Sequence, residues 1–146
     1  MPPPAPAACP QARSNCPIAT ALDLLGDKWT LLVIRDLLFL GKRRFNELLG
    51  SPEGIPTNIL TDRLRRLEDC GLVVKAAYQS RPPRYEYHLT PMGADLYPVL
   101  GALVAWANRY IPGTAKPPPG LMEKAEAAIR ELRSEQQKER HPPRSR

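Results

Sequence analysis

The sequence predicts a mainly α fold with one small β-hairpin (α+β), and three observations predict it. Residues 16–70 carry apolar positions at helical spacing, punctuated at Gly26, Gly41, Gly50 and Gly54. Residues 72–78 and 85–89 instead concentrate β-branched and aromatic side chains on either side of a proline- and arginine-rich tip. From Thr90 the helical period returns and holds to Tyr110. Helix, turn, helix, hairpin is the order of a winged helix-turn-helix, here flanked by N- and C-terminal helices.

The first helix starts after Cys16, because Pro17 suits a first helical position whose N–H would be unpaired anyway. Ile18, Ala21, Leu22 and Leu25 form its apolar stripe, and Gly26 stops it. Asp27 caps a second helix, Lys28 to Leu40, which is apolar nearly all round and therefore central. A short helix carries Phe45, Leu48 and Leu49. The turn from Gly50 to Gly54 follows, and Pro56 opens a helix that runs to Cys70 and ends at Gly71. Leu60, Leu64 and Leu67 stand at i, i+4 and i+7 and define its inward face. Thr90-Pro91 caps a long helix to Tyr110, kinked at Pro98. Residues 121–140 are helix-compatible, but their apolar stripe fades after Leu132, which predicts a marginal helix.

Composition divides the chain into a proline-rich tail over 1–13, one domain over 14–111, and a proline-containing basic extension over 112–146 that is partly helical or disordered. Six of the 18 prolines lie in residues 1–17 and six more in 112–146. The net charge of +6 is unevenly placed: residues 42–88 and 112–146 contribute +3 each. That concentrates basic charge on the helix–hairpin block and the extension, as a phosphate-binding face requires, although a solvated basic surface gives the same pattern. No apolar run reaches the ~18 residues of a transmembrane helix, so no membrane partner is expected. The N-terminus lacks the basic and apolar regions of a secretory signal. Three cysteines (Cys9, Cys16, Cys70) without metal-ligand spacing read as reduced thiols rather than a disulfide scaffold. Neither a nucleophile–base pair, a phosphate loop nor a metal cluster is visible, and Glu47, Glu53 and Glu68 read as solvated charges. No enzyme, metal or cofactor is expected.

On the fourth helix Asn58, Thr61, Asp62 and Arg65 point away from the leucine stripe, with Thr57 and Arg66 at its flanks. Small hydrogen-bonding residues near the N-terminal end of such a helix suit base edges, asparagine to adenine and arginine to guanine. Arg63 lies nearer the apolar face and suits a phosphate or an intramolecular contact. Between the strands, Arg81 and Arg84 supply charge, and Pro82 and Pro83 stiffen the tip. Any surface helix has a polar face and any hairpin a soluble tip, so each feature alone is ambiguous. A winged helix that docks protein without reading DNA is the alternative.

In order along residues 14–111, Cys16-Pro17, Leu25-Gly26-Asp27-Lys28-Trp29, Arg44-Phe45-Asn46-Glu47-Leu48, Ile55-Pro56, Leu60-Thr61-Asp62-Arg63-Leu64, Leu67-Glu68, Gly71-Leu72, Tyr85-Glu86-Tyr87 and Leu89-Thr90 with Gly93 resemble the HxlR family of bacterial transcriptional regulators. The resemblance implies a cytoplasmic, homodimeric, MarR-like winged helix on double-stranded DNA with a pseudo-palindromic operator. It places DNA contacts at Thr57, Asn58, Thr61, Asp62, Arg63, Arg65, Arg66, Arg44, Arg81 and Arg84. The first and last helices, through Ile18, Leu22, Leu96, Leu100, Leu103, Trp106 and Tyr110, would form the dimer contact. Cys16 falls where some members carry a cysteine that senses electrophiles or oxidants, which admits a small-molecule or electrophile effector. Its N-cap position, where orphan N–H groups favour a thiolate, fits that role. The plain alternative is a small cap residue without chemistry. The family pattern says nothing of the proline-rich N-terminus, Cys9 or the basic C-terminal extension.

Overall fold

The computed structural model describes Cys9 and residues 11–140. Along them run helices α1 (Pro17–Leu25), α2 (Thr30–Leu38), α3 (Phe45–Leu49) and α4 (Thr57–Asp69). Strands β1 (Val73–Ser80) and β2 (Pro83–Leu89) follow, then α5 (Pro91–Ala94), α6 (Tyr97–Tyr110) and α7 (Leu121–Arg140). This is the mainly α chain with an antiparallel two-stranded hairpin that the sequence predicts. The proline-rich start (residues 1–8 and Pro10) and the last basic residues (141–146) lie outside the described residues.

Helix α2 begins at Thr30 rather than Lys28, with Trp29 at its N-cap, and the Asp27 carboxylate just before it accepts the N–H groups of Trp29 at 3.1 Å and Thr30 at 3.2 Å. Val33, Ile34 and Leu37 of α2 are almost fully buried, against Leu48 of α3, Leu60, Leu64 and Leu67 of α4, and Leu72, Val73 and Leu89 of the hairpin. Among the described residues one charged side chain sits in that core. Asp36, 2% exposed, meets Arg35 Nε at 2.9 Å, Lys42 Nζ at 3.5 Å and the Ser51 hydroxyl, which fastens α2 to the turn after α3. A buried carboxylate is tolerated only with such partners. Glu53, expected as a solvated charge, pairs with Arg35, whose hydrogen bond holds its carboxyl below the usual range.

The turn before α4 depends on Gly54, at φ 72°, and the exit from α4 on Gly71, at φ 81°, both in the left-handed region that favours glycine. The hairpin pairs Val73 with Leu89 through Ala77 with Tyr85, with an irregularity between Ala77 and Gln79. The Tyr87 N–H donates to the Arg43 carbonyl at 2.7 Å, tying the chain before α3 to the hairpin edge.

The single kinked helix expected from Pro91 to Tyr110 is two helices. Pro98 stands in the first turn of α6, where its missing N–H is harmless. Within one continuous helix its ring would meet the carbonyl four residues back, so the chain breaks after Ala94 instead of bending. Residues 121–140, expected to be marginal, form the 20-residue α7. Ala125 and Ile129 are buried, Tyr97 Oη donates to Glu126 at 2.9 Å, and Arg133 pairs with Asp95. Tertiary burial of a short stripe compensates for weak helical pattern.

The expectation of reduced thiols fails for two of the three cysteines. Cys9 folds back to the C-terminal end of α4 and is joined by a disulfide to Cys70, with Cα atoms 5.1 Å apart across 61 residues of sequence. Cys16 remains free. Nothing in local pattern announces a contact of that sequence separation.

Candidate nucleic-acid interface

Helix α4 separates two faces. Leu60, Leu64 and Leu67 are at most 2% exposed, whereas Thr57, Asn58, Thr61, Asp62 and Arg65 all face outward. The Thr61 hydroxyl donates to the Thr57 carbonyl at 2.9 Å, which leaves its oxygen free to accept. Among the described residues neither the Asn58 amide nor the Arg65 guanidinium has a hydrogen-bond partner.

The other two arginines of the helix turn back. Arg63 Nε lies 2.8 Å from Asp27 Oδ2, and the same guanidinium pairs with Asp62. Arg66 donates to the Asp23 carbonyl of α1. Burial alone would raise the Asp27 pKa, but hydrogen bonds from Thr30, Arg63 and the Trp29 N–H hold it down to about 2. The hydrogen bond to Asp27 likewise raises the Arg63 pKa. These two arginines therefore lock α4 onto α1 and the start of α2. Arg63 takes the intramolecular contact of the two that its position suggests; Arg66, expected at the flank of the reading face, is held the same way.

The hairpin brings a second set of cations. Arg81 and Arg84 are exposed at its tip, where Gln79 Nε2 donates to the Arg81 carbonyl at 3.1 Å. Arg44, at the N-cap of α3, lays its guanidinium 4.5 Å from the Tyr78 ring centroid and has Nε 3.8 Å from Glu86. Lys75 Nζ lies 4.2 Å from the Tyr85 ring. Arg44, Phe45, Tyr78, Arg84, Tyr85 and Tyr87 edge an open groove of about 550 Å³ between α3 and the hairpin. Sequence reasoning missed Lys75, Tyr78 and Tyr85. For Lys75 and Tyr85 the signal was a cation and a tyrosine on two paired strands, where diagonal neighbours meet.

On α1 and α6, Ile18, Leu22, Leu103, Trp106 and Tyr110 are 48–72% exposed. Leu100, by contrast, is buried and Leu96 half-buried against the core, so within the chain these two anchor α6. Helix α1 has no buried residue at all. Cys16 is the exposed N-cap of α1; its N–H donates to Ser14 Oγ at 3.2 Å and its carbonyl accepts the Thr20 N–H at 2.9 Å. Among the described residues no cluster of His, Cys, Asp or Glu could hold a metal, and no helix is long and apolar enough to cross a membrane.

A helix-turn-helix backed by a leucine core, with a cationic wing beside it, defines a winged helix-turn-helix domain. Residues 24–115 match the HxlR-like helix-turn-helix family, and the chain belongs to that family. A Mycobacterium tuberculosis protein named as an HTH-type transcriptional regulator is 42% identical over 101 residues, 69% of this chain and 63% of that one. The chain thus spans under two thirds of that relative's length. A structure from Enterococcus faecalis V583, assigned as a MarR-family transcriptional regulator, has 39% identity and a TM-score of 0.54, covering 66% of this chain and 94% of that one. The redox regulator HypR in its oxidised form has 36% identity and a TM-score of 0.56, covering 64% and 96%.

Proposed function

We propose that two copies of this chain bind a pseudo-palindromic operator in the cytoplasm, each setting α4 into a major groove and its hairpin tip against flanking phosphate or minor groove. The exposed, uncommitted row Thr57, Asn58, Thr61 and Arg65 carries this reading. It stands on a helix whose other arginines, Arg63 and Arg66, are held inside the protein. Half-sites about 34 Å apart would match successive major grooves. The exposed apolar residues of α1 and α6 supply the contact between copies, since so large an unpaired apolar surface favours association.

Fluorescence anisotropy on the chain's own upstream DNA tests the roles. Arg65→Ala should cost about 1–3 kcal/mol on the operator and relax specificity at one base pair. Arg81→Ala should weaken specific and random DNA alike and reduce the salt slope by about one. Equal losses on both DNAs for Arg65→Ala would show that it reads no base, and a complete lack of salt-dependent affinity would favour a protein-docking module.

The same reading includes a thiol switch at Cys16, supported by its exposure at the start of α1, beside the apolar residues of the contact between copies, and by the likeness to a redox regulator. Diamide should release the wild-type protein from operator DNA and leave Cys16→Ser bound. Equal release of both proteins would remove Cys16 from the mechanism.

A further inference from the structure

We propose that Cys9 and Cys70 form a second thiol site, separate from Cys16: a reversible clasp, closed by exchange with a low-molecular-weight disulfide, that fixes α1 against the reading helix and tightens DNA binding when oxidised. The coupling to DNA rests on the DNA-binding reading above. The clasp itself does not.

Placement comes first. The Cα atoms of Cys9 and Cys70 are 5.1 Å apart, within the range that a disulfide spans without backbone movement. Cys70 is a fixed point: fully buried, C-cap of α4, with its N–H on the Arg66 carbonyl at 3.0 Å. Cys9 is half-buried at the surface. The two thiols are therefore unequal in access. Cys9 is the one that a solution reagent reaches, and Cys70 is the one that completes the bond.

The chemistry follows from that order. The Cys9 thiolate attacks one sulfur of a small disulfide, forming a mixed disulfide and releasing one small thiol. Cys70, losing its proton to solvent, then attacks the Cys9 sulfur and displaces the second small thiol. Two protein thiols are oxidised and one external disulfide is reduced to two thiols; excess small thiol reverses both steps.

The consequence concerns α1, which buries no residue of its own. Its other ties to the body are Leu24 and Leu25, half-buried against the core at its C-terminal end, and a set of polar contacts. Arg66 donates to the Asp23 carbonyl, and Arg13, on the segment after Cys9, donates its N–H to Asp23 at 3.2 Å and pairs with the same carboxylate. Exposed ion pairs hold weakly. The covalent bond adds a tie on the N-terminal side of α1, away from Leu24 and Leu25, and it fastens the segment leading into α1 to the end of α4. Because α1 carries Ile18 and Leu22, the clasp also sets the apolar face relative to the helix that reads DNA. Oxidation thus preorganises the spacing of two reading helices, and reduction loosens it.

The test uses the full chain carrying Cys16→Ser, so that only the clasp responds, with oxidised glutathione as the probe and dithiothreitol as the reversal. Peptide mapping should find Cys9 joined to Cys70 within one chain. Amide hydrogen exchange across residues 13–25 should slow several-fold on oxidation, and operator affinity should rise by about fivefold or more. Adding Cys9→Ser, chosen because Cys70 is buried, should abolish all three changes. A Cys9–Cys70 bond that leaves exchange in α1 unchanged overturns the proposal, as does failure of the bond to form. Slowed exchange with no DNA affinity in either state upholds the clasp and sinks both its coupling to DNA and the DNA-binding reading.

Discussion

Arg63 and Arg65 stand two positions apart on one helix and are committed to different tasks. Arg65 faces outward, whereas Arg63 reaches across 36 residues of sequence to the carboxylate just before α2. Asp27 therefore serves two structures at once, the start of α2 and the docking of α4. Its folded pKa, about 2, lies below the ordinary 3.8, so the carboxylate's contribution is fully present above about pH 4 and is lost as pH falls through 2. Because the side chain is partly solvated, that contribution is about 1 kcal/mol after screening. Asp27→Asn should lower unfolding free energy by roughly that amount at pH 7, and the gap to wild type should close between about pH 4 and pH 2. Urea titrations across that range measure it. A gap that stays constant with pH would mean that the ionised carboxylate adds nothing beyond its hydrogen bonds to the start of α2.

At the scale of elements, the contact of α5 with the hairpin leaves no room for a side chain at Gly93. A Cβ there would overlap the Leu72 carbonyl oxygen and lie 2.9 Å from Leu89 Cδ2. Since the obstacle is backbone, Gly93→Ala should cost about 1–3 kcal/mol, read as a lower urea midpoint at unchanged slope. An unchanged midpoint would show that α5 can slide away from the strand. Such contacts mark where sequence reading stops. The stripe Leu60, Leu64 and Leu67, the stop at Gly71 and the Thr90 cap, which accepts the Gly93 N–H at 3.2 Å, depend on neighbours within about two turns and were legible. The outward polar face of α4 was legible for the same reason, as the complement of that stripe. What depended on tertiary partners was not: Arg66 folded onto α1, Arg44 stacked on Tyr78, Cys9 joined to Cys70, and α7 held by the burial of Ala125 and Ile129. Pro98 was read as a kink, yet whether a proline bends a helix or ends it depends on what the two halves pack against.

For the whole molecule, the proposed binding of two copies to one operator makes the decisive quantity the distance between their α4 helices, which one chain cannot set alone. Trp106 and Tyr110 lie with ring centroids 5.7 Å apart on α6 and are 58% and 60% exposed, beside Leu103 at 48%. A charge there would oppose burial against a second copy without entering the core, because Leu100 and not Leu103 is the buried residue of α6. Leu103→Asp should therefore leave the thermal transition of the chain nearly intact while converting a dimer into a monomer in sedimentation velocity. Linking two modest half-site contacts raises affinity by about 10²–10⁴. The variant should accordingly lose about 100-fold or more on a full operator while matching wild type on a single half-site. Retained dimerisation would move the contact away from α6. An equal loss on the half-site would mean that Leu103 supports the reading helix within its own chain, because a purely intermolecular role leaves the half-site contact untouched.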